Sequence, residues 1–283
     1  MTNTDISKTR HRGPFSGSFR LRRPFWRKTR DGRAYVEMVL EDMSGSMPAY
    51  IWRMPDETVV PADLSCVMVN GRIRWRRDGA VADVTEVGKA EKAAEDIIRL
   101  IPRSLCPLPW LLPFLQTIIG RIESASLRQF VIDVLSNDSI AFPFVTCPAS
   151  LRFHHNYPGG LLRHSIECVQ MVDRYQEFPQ KKKELAMVGA LFHDIGKILT
   201  MTPQMKRTTL GAALGHDKLT LEILAPYLRT LDNSWPSGAA ELRYLMTWRP
   251  GQRDKGIPRT PLANVLLAAD RVSAGIDKRL ENP

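Results

Sequence analysis

The sequence predicts an α+β chain in two parts, a small N-terminal β-barrel followed by an all-α helical bundle. Three observations carry this expectation. From about Ser18 to Val87, apolar and polar residues alternate in short runs broken by turn dipeptides. After Gly88 the apolar residues instead recur at three- and four-residue spacing. The length, 283 residues, suits about two domains, and 43% apolar residues suffice for packed cores, which excludes disorder over most of the chain.

Residues 1–16 read as a basic flexible arm. The first thirty residues carry nine Lys or Arg against one acid, Asp5, within a chain of net charge +10. Such an excess suits a polyanion, nucleic acid being the usual one. Residues 17–89 read as the barrel. Asp31-Gly32 and Asp78-Gly79 are hairpin signals, and Ser44-Gly45 marks another reversal. Val36, Met38 and Leu40 share one strand face, with Glu37 and Glu41 on the other. Val67, Val69, Ile73 and Trp75 share a second inner face, opposite Arg72, Arg74 and Arg76, and Gly71 marks a bulge at a barrel corner. About five short strands in this span point to an OB-like fold.

Residues 90–150 read as a helical connector. Ala90–Leu100 is expected to be a helix ended by Pro102, and Leu111–Leu135 repeats apolar residues at helical spacing. Residues 151–283 read as the main bundle, with Pro261 in the first turn of its last helix. The four cysteines (Cys66, Cys106, Cys147, Cys168) contain no C-x-x-C pair, which argues against a zinc ribbon or a disulfide-stapled domain. No apolar segment near Met1 resembles a secretory signal. The most apolar stretch, Ser104 to Gly120, is too short and proline-rich to span a bilayer, so no membrane is expected and the cytoplasm is the expected compartment.

The chemistry-bearing residues lie in the second half. His154 and His155 precede Pro158-Gly159-Gly160-Leu161-Leu162-Arg163-His164. Leu191-Phe192-His193-Asp194-Ile195-Gly196-Lys197 follows, then Gly215-His216, and finally Asp270 within an apolar helix. Ala186, Gly189 and Ala190 lead to His193 and let another backbone approach, while Gly196 reads as a helix C-cap. A carboxylate such as Asp270 on an apolar helix must be paired or bind metal. Two imidazoles and two carboxylates suit Mn²⁺, Fe²⁺, Co²⁺ or Zn²⁺, and such an ion acidifies a water while polarising a phosphoryl oxygen.

The pattern H…HD…D resembles the ligand set of HD-domain metal-dependent phosphohydrolases. The longer run H-H-x-x-x-G-G-L-L-x-H…H-D-x-G-K…G-H…D is similar to the branch containing YhaM-type 3′-to-5′ exonucleases, which place an OB-fold before the HD domain. The words P-G-G-L-L-R-H-S also resemble the HD region of TraI-type relaxases. The likeness covers roughly residues 109–275, and L-E-D-x-S-G-x-x-x-A-x-I-W (Leu40 to Trp52) extends it more weakly into the barrel. The resemblance implies metal ligation by His164, His193, Asp194 and Asp270, with His216 as a further candidate. It implies that Asp194 and Lys197 act in catalysis, Lys197 as a point charge facing a substrate phosphate. Where relatives often carry an adjacent histidine pair, this chain has Thr247-Trp248, which favours one metal, with Mn²⁺ the leading ion.

His155, Arg27, Lys28, Tyr35, Arg72 and Arg74 are the expected substrate contacts, the barrel residues tracking phosphates and stacking bases. Trp75 and Ile51 are assigned to the core. The expected partner is single-stranded RNA or DNA, and a homo-oligomer is compatible with the sequence. The leading function is a 3′-5′ exonuclease. The alternatives are a relaxase-like factor of conjugative transfer and a nucleic-acid-binding protein with a degenerate site.

Overall fold

The computed structural model describes residues 5–9, 12–52, 60–90, 93–248 and 260–280. The chain divides into two compact units, Met1–Pro109 and Trp110–Pro283. This boundary falls inside the segment that the sequence suggested as a connector.

The first unit is a closed barrel of five strands, β1 (Gly13–Lys28), β2 (Ala34–Asp42), β3 (Gly45–Ile51), β4 (Cys66–Arg76) and β5 (Gly79–Lys89), in the order β1-β2-β3-β5-β4. β3 and β5 pair in parallel and every other pair is antiparallel, giving an OB-like barrel. The three expected reversals join β1 to β2, β2 to β3, and β4 to β5. Gly32 and Gly79 take positive φ there, at 83° and 125°. The β4–β5 register breaks between Asn70 and Gly71, where the bulge was expected. The interior is filled by Phe19, Leu21, Val36, Met38, Leu40, Val67, Val69 and Ile73, with Ile51 also buried.

Three expectations for this unit are corrected. Trp75 is 42% exposed, because its pairing with Ala80 places it one rung from the end of the hairpin, at the barrel rim. The basic arm does not run free to residue 16. β1 begins at Gly13, and Ile6 is buried with its backbone N–H donating to Asp42 Oδ2 at 2.9 Å, while residues 1–4 and 10–11 lie outside the described residues. Ala90–Leu100 is not an α-helix. Its described part is a 3-10 turn, Ala94–Asp96, followed by further turns. The barrel takes its polar groups: Arg20 Nε donates to the Leu100 carbonyl and Arg99 Nη2 donates to the Ser18 carbonyl, both at 2.8 Å. Ile97, Ile98, Leu100 and Ile101 are buried, so tertiary packing overrides local helix preference.

The second unit is helical: α1 (Leu112–Gly120), α2 (Ala125–Ser136), α3 (Asp138–Thr146), α4 (Gly160–Asp173), α5 (Gln180–Phe192), α6 (Lys197–Thr200), α7 (Thr209–Ala213), α8 (His216–Ser234), α9 (Pro236–Thr247) and α10 (Pro261–Leu280). The Leu111–Leu135 periodicity is split between α1 and α2. The Glu184 carboxylate on α5 accepts from the Glu123 and Ser124 N–H groups at 2.9 and 3.0 Å and fixes that corner. From Lys183 to Phe192 every residue of α5 is buried, and the helix packs against α4, α9 and α10. Pro261 begins α10 as expected. Among the described residues no helix is long and apolar enough to cross a membrane.

Candidate metal centre

Three elements from distant parts of the chain meet here: α4 with His164, the end of α5 with His193 and Asp194, and α10 with Asp270. Their donor atoms lie within 4.8 Å of one another. His164 Nε2 is 3.2 Å from His193 Nε2, 3.2 Å from Asp270 Oδ1 and 3.4 Å from Asp194 Oδ2. His193 Nε2 is 3.5 Å from Asp194 Oδ2 and 3.7 Å from Asp270 Oδ1. Ligands about 2.0–2.2 Å from one ion stand about 3–3.6 Å apart, so this donor set fits a divalent cation. Asp270, which an apolar helix required to be paired or to bind metal, meets His164.

Hydrogen bonds behind the donors aim them inward. His193 Nδ1 donates to the Ala190 carbonyl at 2.9 Å, which leaves Nε2 as the lone-pair nitrogen. His164 Nδ1 lies 3.0 Å from Ser273 Oγ, and that hydroxyl donates to Glu167 Oε2 at 2.8 Å. One helix, α10, therefore supplies both a candidate ligand and the group that orients another. Burial disfavours charge on His164, but Asp194 and Asp270 outweigh it and push its pKa up to about 11. Burial likewise opposes ionisation of Asp194, yet Lys197 and the three neighbouring imidazoles hold its carboxyl well below the usual range. Asp270 is also lowered against its burial, by His164 and His193. Carboxylates packed this closely with imidazoles demand a positive charge among them, from a proton or a metal ion.

Glycines permit this crowding. Gly159 takes φ 82° at the start of α4, and a Cβ on Gly160 would lie 2.1 Å from the His155 carbonyl oxygen. Gly196 was expected to cap α5. It has ordinary helical angles and begins α6 instead, and its role is close approach: a Cβ there would lie 2.0 Å from the His216 carbonyl oxygen. The start of α8 thus docks on the HD turn, where Thr220 Oγ1 accepts from Gly196 N and donates to the His193 carbonyl, both at 3.2 Å.

Beside the centre opens a cleft of about 930 Å³, walled by residues 149–154, Lys197, Thr200, Met201, Arg207 and residues 211–216. Lys197 does not project freely into it: Nζ donates to Asp194 Oδ2 at 2.5 Å. His216 Nε2 sits 3.0 Å from the other oxygen, Oδ1, outside the four-donor group but on the cleft wall. His155 is not on the wall. It is 1% exposed, with Nδ1 2.9 Å from the Tyr157 hydroxyl and Nε2 3.2 Å from Ser273 Oγ, so it buttresses His164 from behind. The neighbour that lines the cleft is His154. Burial and the nearby Lys197 charge lower its pKa to about 4, and its buried Nε2 has no hydrogen-bond partner among the described residues. Adjacency to His155 was the available signal, but a loop has no periodicity to say which of the two faces inward. Arg152 and Arg207 also line the cleft and were not singled out by sequence. Thr247, in place of a histidine, uses its hydroxyl on the Arg243 carbonyl of its own helix at 2.9 Å.

On the barrel, Tyr35 stacks on Trp52 and Trp52 on Tyr50, with ring centroids 4.9 and 5.2 Å apart. The Arg76 guanidinium lies over Tyr50 at 5.1 Å, and Trp52 Nε1 donates to Asp83 Oδ1 at 2.7 Å. Arg27 pairs with Glu37 at 2.9 Å, close to Lys28 on the same strand. Arg74 pairs with Asp83, and Arg72 shares a shallow pocket with Arg74 and Trp75.

The chain is similar to known proteins over most of its length. Residues 161–275 match the HD domain family. The chain is 22% identical over 269 residues to the 3′-5′ exoribonuclease YhaM of Bacillus velezensis, covering 89% of this chain and 82% of that protein. It is 20% identical over 263 residues to the protein of the same name from Listeria innocua, covering 87% and 80%. A solution NMR structure of the second OB-fold domain of replication protein A from Methanococcus maripaludis is 18% identical, with TM-score 0.27, over 32% of this chain and 98% of that one. The four residues gathered at one centre all lie within the segment that matches the HD domain, and the chain as a whole, barrel included, is similar to the YhaM exoribonucleases over most of its length.

Proposed function

We propose that this protein is a divalent-metal-dependent phosphodiesterase that degrades single-stranded RNA from its 3′ end. The observation that carries the reading is the meeting of His164, His193, Asp194 and Asp270 beside a cleft of nucleotide size. The relatives' name, exoribonuclease, supports RNA over DNA. The nitrogen and oxygen donors support Mn²⁺ as the working ion. A divalent ion held by these four residues supplies an activated water and stabilises charge on the phosphoryl oxygens.

The chain's own residues do the rest. Asp194 turns one carboxylate oxygen to the centre and the other to His216, so it couples the centre to the cleft wall. Lys197 offsets the charge of Asp194 and brings a cation to the phosphate side. His216 lines the wall 3.0 Å from Asp194 Oδ1, which supports a role for it in passing a proton to the departing oxygen. On the barrel, the Tyr35–Trp52–Tyr50 stack offers π-faces for bases, while Arg27, Lys28, Arg72, Arg74 and Arg76 offer charge to phosphates.

End-labelled RNA and DNA strands incubated with the full-length protein and Mn²⁺, Fe²⁺, Co²⁺ or Zn²⁺ in turn test the reading. The expected result is release of mononucleotides from the RNA 3′ end, strongest with Mn²⁺. No product with any ion would overturn the enzyme assignment. A nick at one place in supercoiled DNA without shortening of ends would replace it with the relaxase-like reading.

A further inference from the structure

Beneath the four candidate ligands lies a donor that the proposed reaction does not use. Cys168 stands one turn after His164 on α4, fully buried, with Sγ 3.8 Å from His164 Nε2. Together with His193 Nε2 it forms a second group of three donors within 4.8 Å of one another. Zinc takes sulfur at about 2.3 Å and imidazole nitrogen at about 2.0–2.1 Å, so tetrahedral ligands stand about 3.4 Å apart for two nitrogens and about 3.6 Å apart for nitrogen and sulfur. The observed separations are 3.2 Å between the imidazoles and 3.8 Å between Sγ and His164. The Sγ–His164 spacing thus matches that of two ligands on one ion, and Sγ also lies within 4.8 Å of His193 Nε2.

We propose that His164, Cys168 and His193 form a thiophilic metal site overlapping the His164–His193–Asp194–Asp270 site. A soft or borderline cation such as Zn²⁺ or Cd²⁺ binds both imidazoles and the sulfur, and the thiol releases its proton to solvent as the metal–sulfur bond forms. An oxygen-preferring ion such as Mn²⁺ gains little from sulfur and sits toward the carboxylates. Because the two sites share both imidazoles, they cannot be filled together. The centre therefore sorts cations by softness, and a thiophilic ion blocks the working one. The blocking role rests on the phosphodiesterase reading, whereas the existence of the site does not.

The test uses metal-free, full-length protein titrated with Cd²⁺ and read by sulfur-to-cadmium charge-transfer absorption in the ultraviolet. The wild type should gain an absorption step that saturates with one ion. Cys168→Ser and Cys168→Ala should lose it while keeping the wild-type far-ultraviolet circular dichroism, and His193→Ala should weaken it. An equal step in Cys168→Ser would assign the signal to Cys66, Cys106 or Cys147 and overturn the proposal, as would the absence of any step in the wild type. In a parallel assay, Zn²⁺ should inhibit Mn²⁺-supported hydrolysis at least about tenfold less potently in Cys168→Ser, since even outer-sphere changes cost metal sites that much. A Cys168-dependent step in a protein with no hydrolytic activity would sink the proposed function and leave this site standing. Hydrolysis with identical Zn²⁺ sensitivity in wild type and Cys168→Ser would do the reverse.

Discussion

On the barrel, arginines meet acids at the surface: Arg27 with Glu37 and Arg74 with Asp83, with both guanidinium side chains more than half exposed. At the metal centre of the helical unit the opposite arrangement holds. Asp194 is buried and touches Lys197, His164, His193 and His216 at once. Exposed pairs contribute about 0–1 kcal/mol each and are easily traded for another anion. Buried, shared charges lose several kcal/mol when one partner is removed, because the others stay desolvated. The barrel is thus arranged for contacts that exchange, and the centre for one contact that stays.

Substitutions should separate the two behaviours. The largest effect is expected for Asp194→Ala, which should lower metal-dependent hydrolysis by about a thousandfold, the equivalent of several kcal/mol of transition-state stabilisation. Single-strand affinity measured by filter binding should hardly change, and a parallel loss of binding would blur the division between the units. Ser273→Ala removes the hydroxyl between His164 and Glu167, and calorimetry should show Mn²⁺ binding about 10- to 100-fold weaker. If that affinity is unchanged, the bond behind His164 does not tune the centre. Trp52→Ala should weaken single-stranded RNA binding by about 1–3 kcal/mol, the value of one stacked base, and leave turnover of saturating short substrates intact.

Acid should distinguish the units more gently. Burial tends to raise the Glu167 pKa, but His155, Arg163 and Ser273 lower it to about 2 in the folded protein. Its stabilising contribution is therefore complete above the ordinary glutamate pKa and is lost as pH falls toward about 2. A shift of that size corresponds to about 3 kcal/mol at most. The midpoint of thermal unfolding of the metal-free protein should fall over this window, and Glu167→Gln should flatten the fall. A profile that Glu167→Gln leaves unaltered would show that acid acts on other groups.

Much of the centre could be read from the sequence because its motifs carry their own spacing. His164 follows a two-glycine turn, and His193-Asp194 closes a helix lined with small residues. The β-strand faces were equally legible, since Val36, Met38 and Leu40 obey a strict alternation and all are buried. Where periodicity stops, so did the reading. His155 has φ 47°, a left-handed turn that no pattern announces, and it is His154 rather than His155 that lines the cleft. Trp75 keeps the parity of Val67 and Val69 but lies at the barrel rim, where an inward face no longer means an interior. Ala90–Leu100 has helical composition, yet long-range bonds from Arg20 and Arg99 decide its course. Tyr50 and Trp52 acquire meaning only from Tyr35 on the neighbouring strand.

Gly160 and Gly196 touch no substrate and bind no ion in any reading given above, yet each lies against a carbonyl that even a methyl group would strike. In a survey of every single substitution, these two positions should tolerate as little as the histidines do. Alanine, ordinarily the mildest replacement, would be among the harmful ones there. Sensitivity to mutation in this domain will therefore trace the crowding of its main chain as closely as its chemistry.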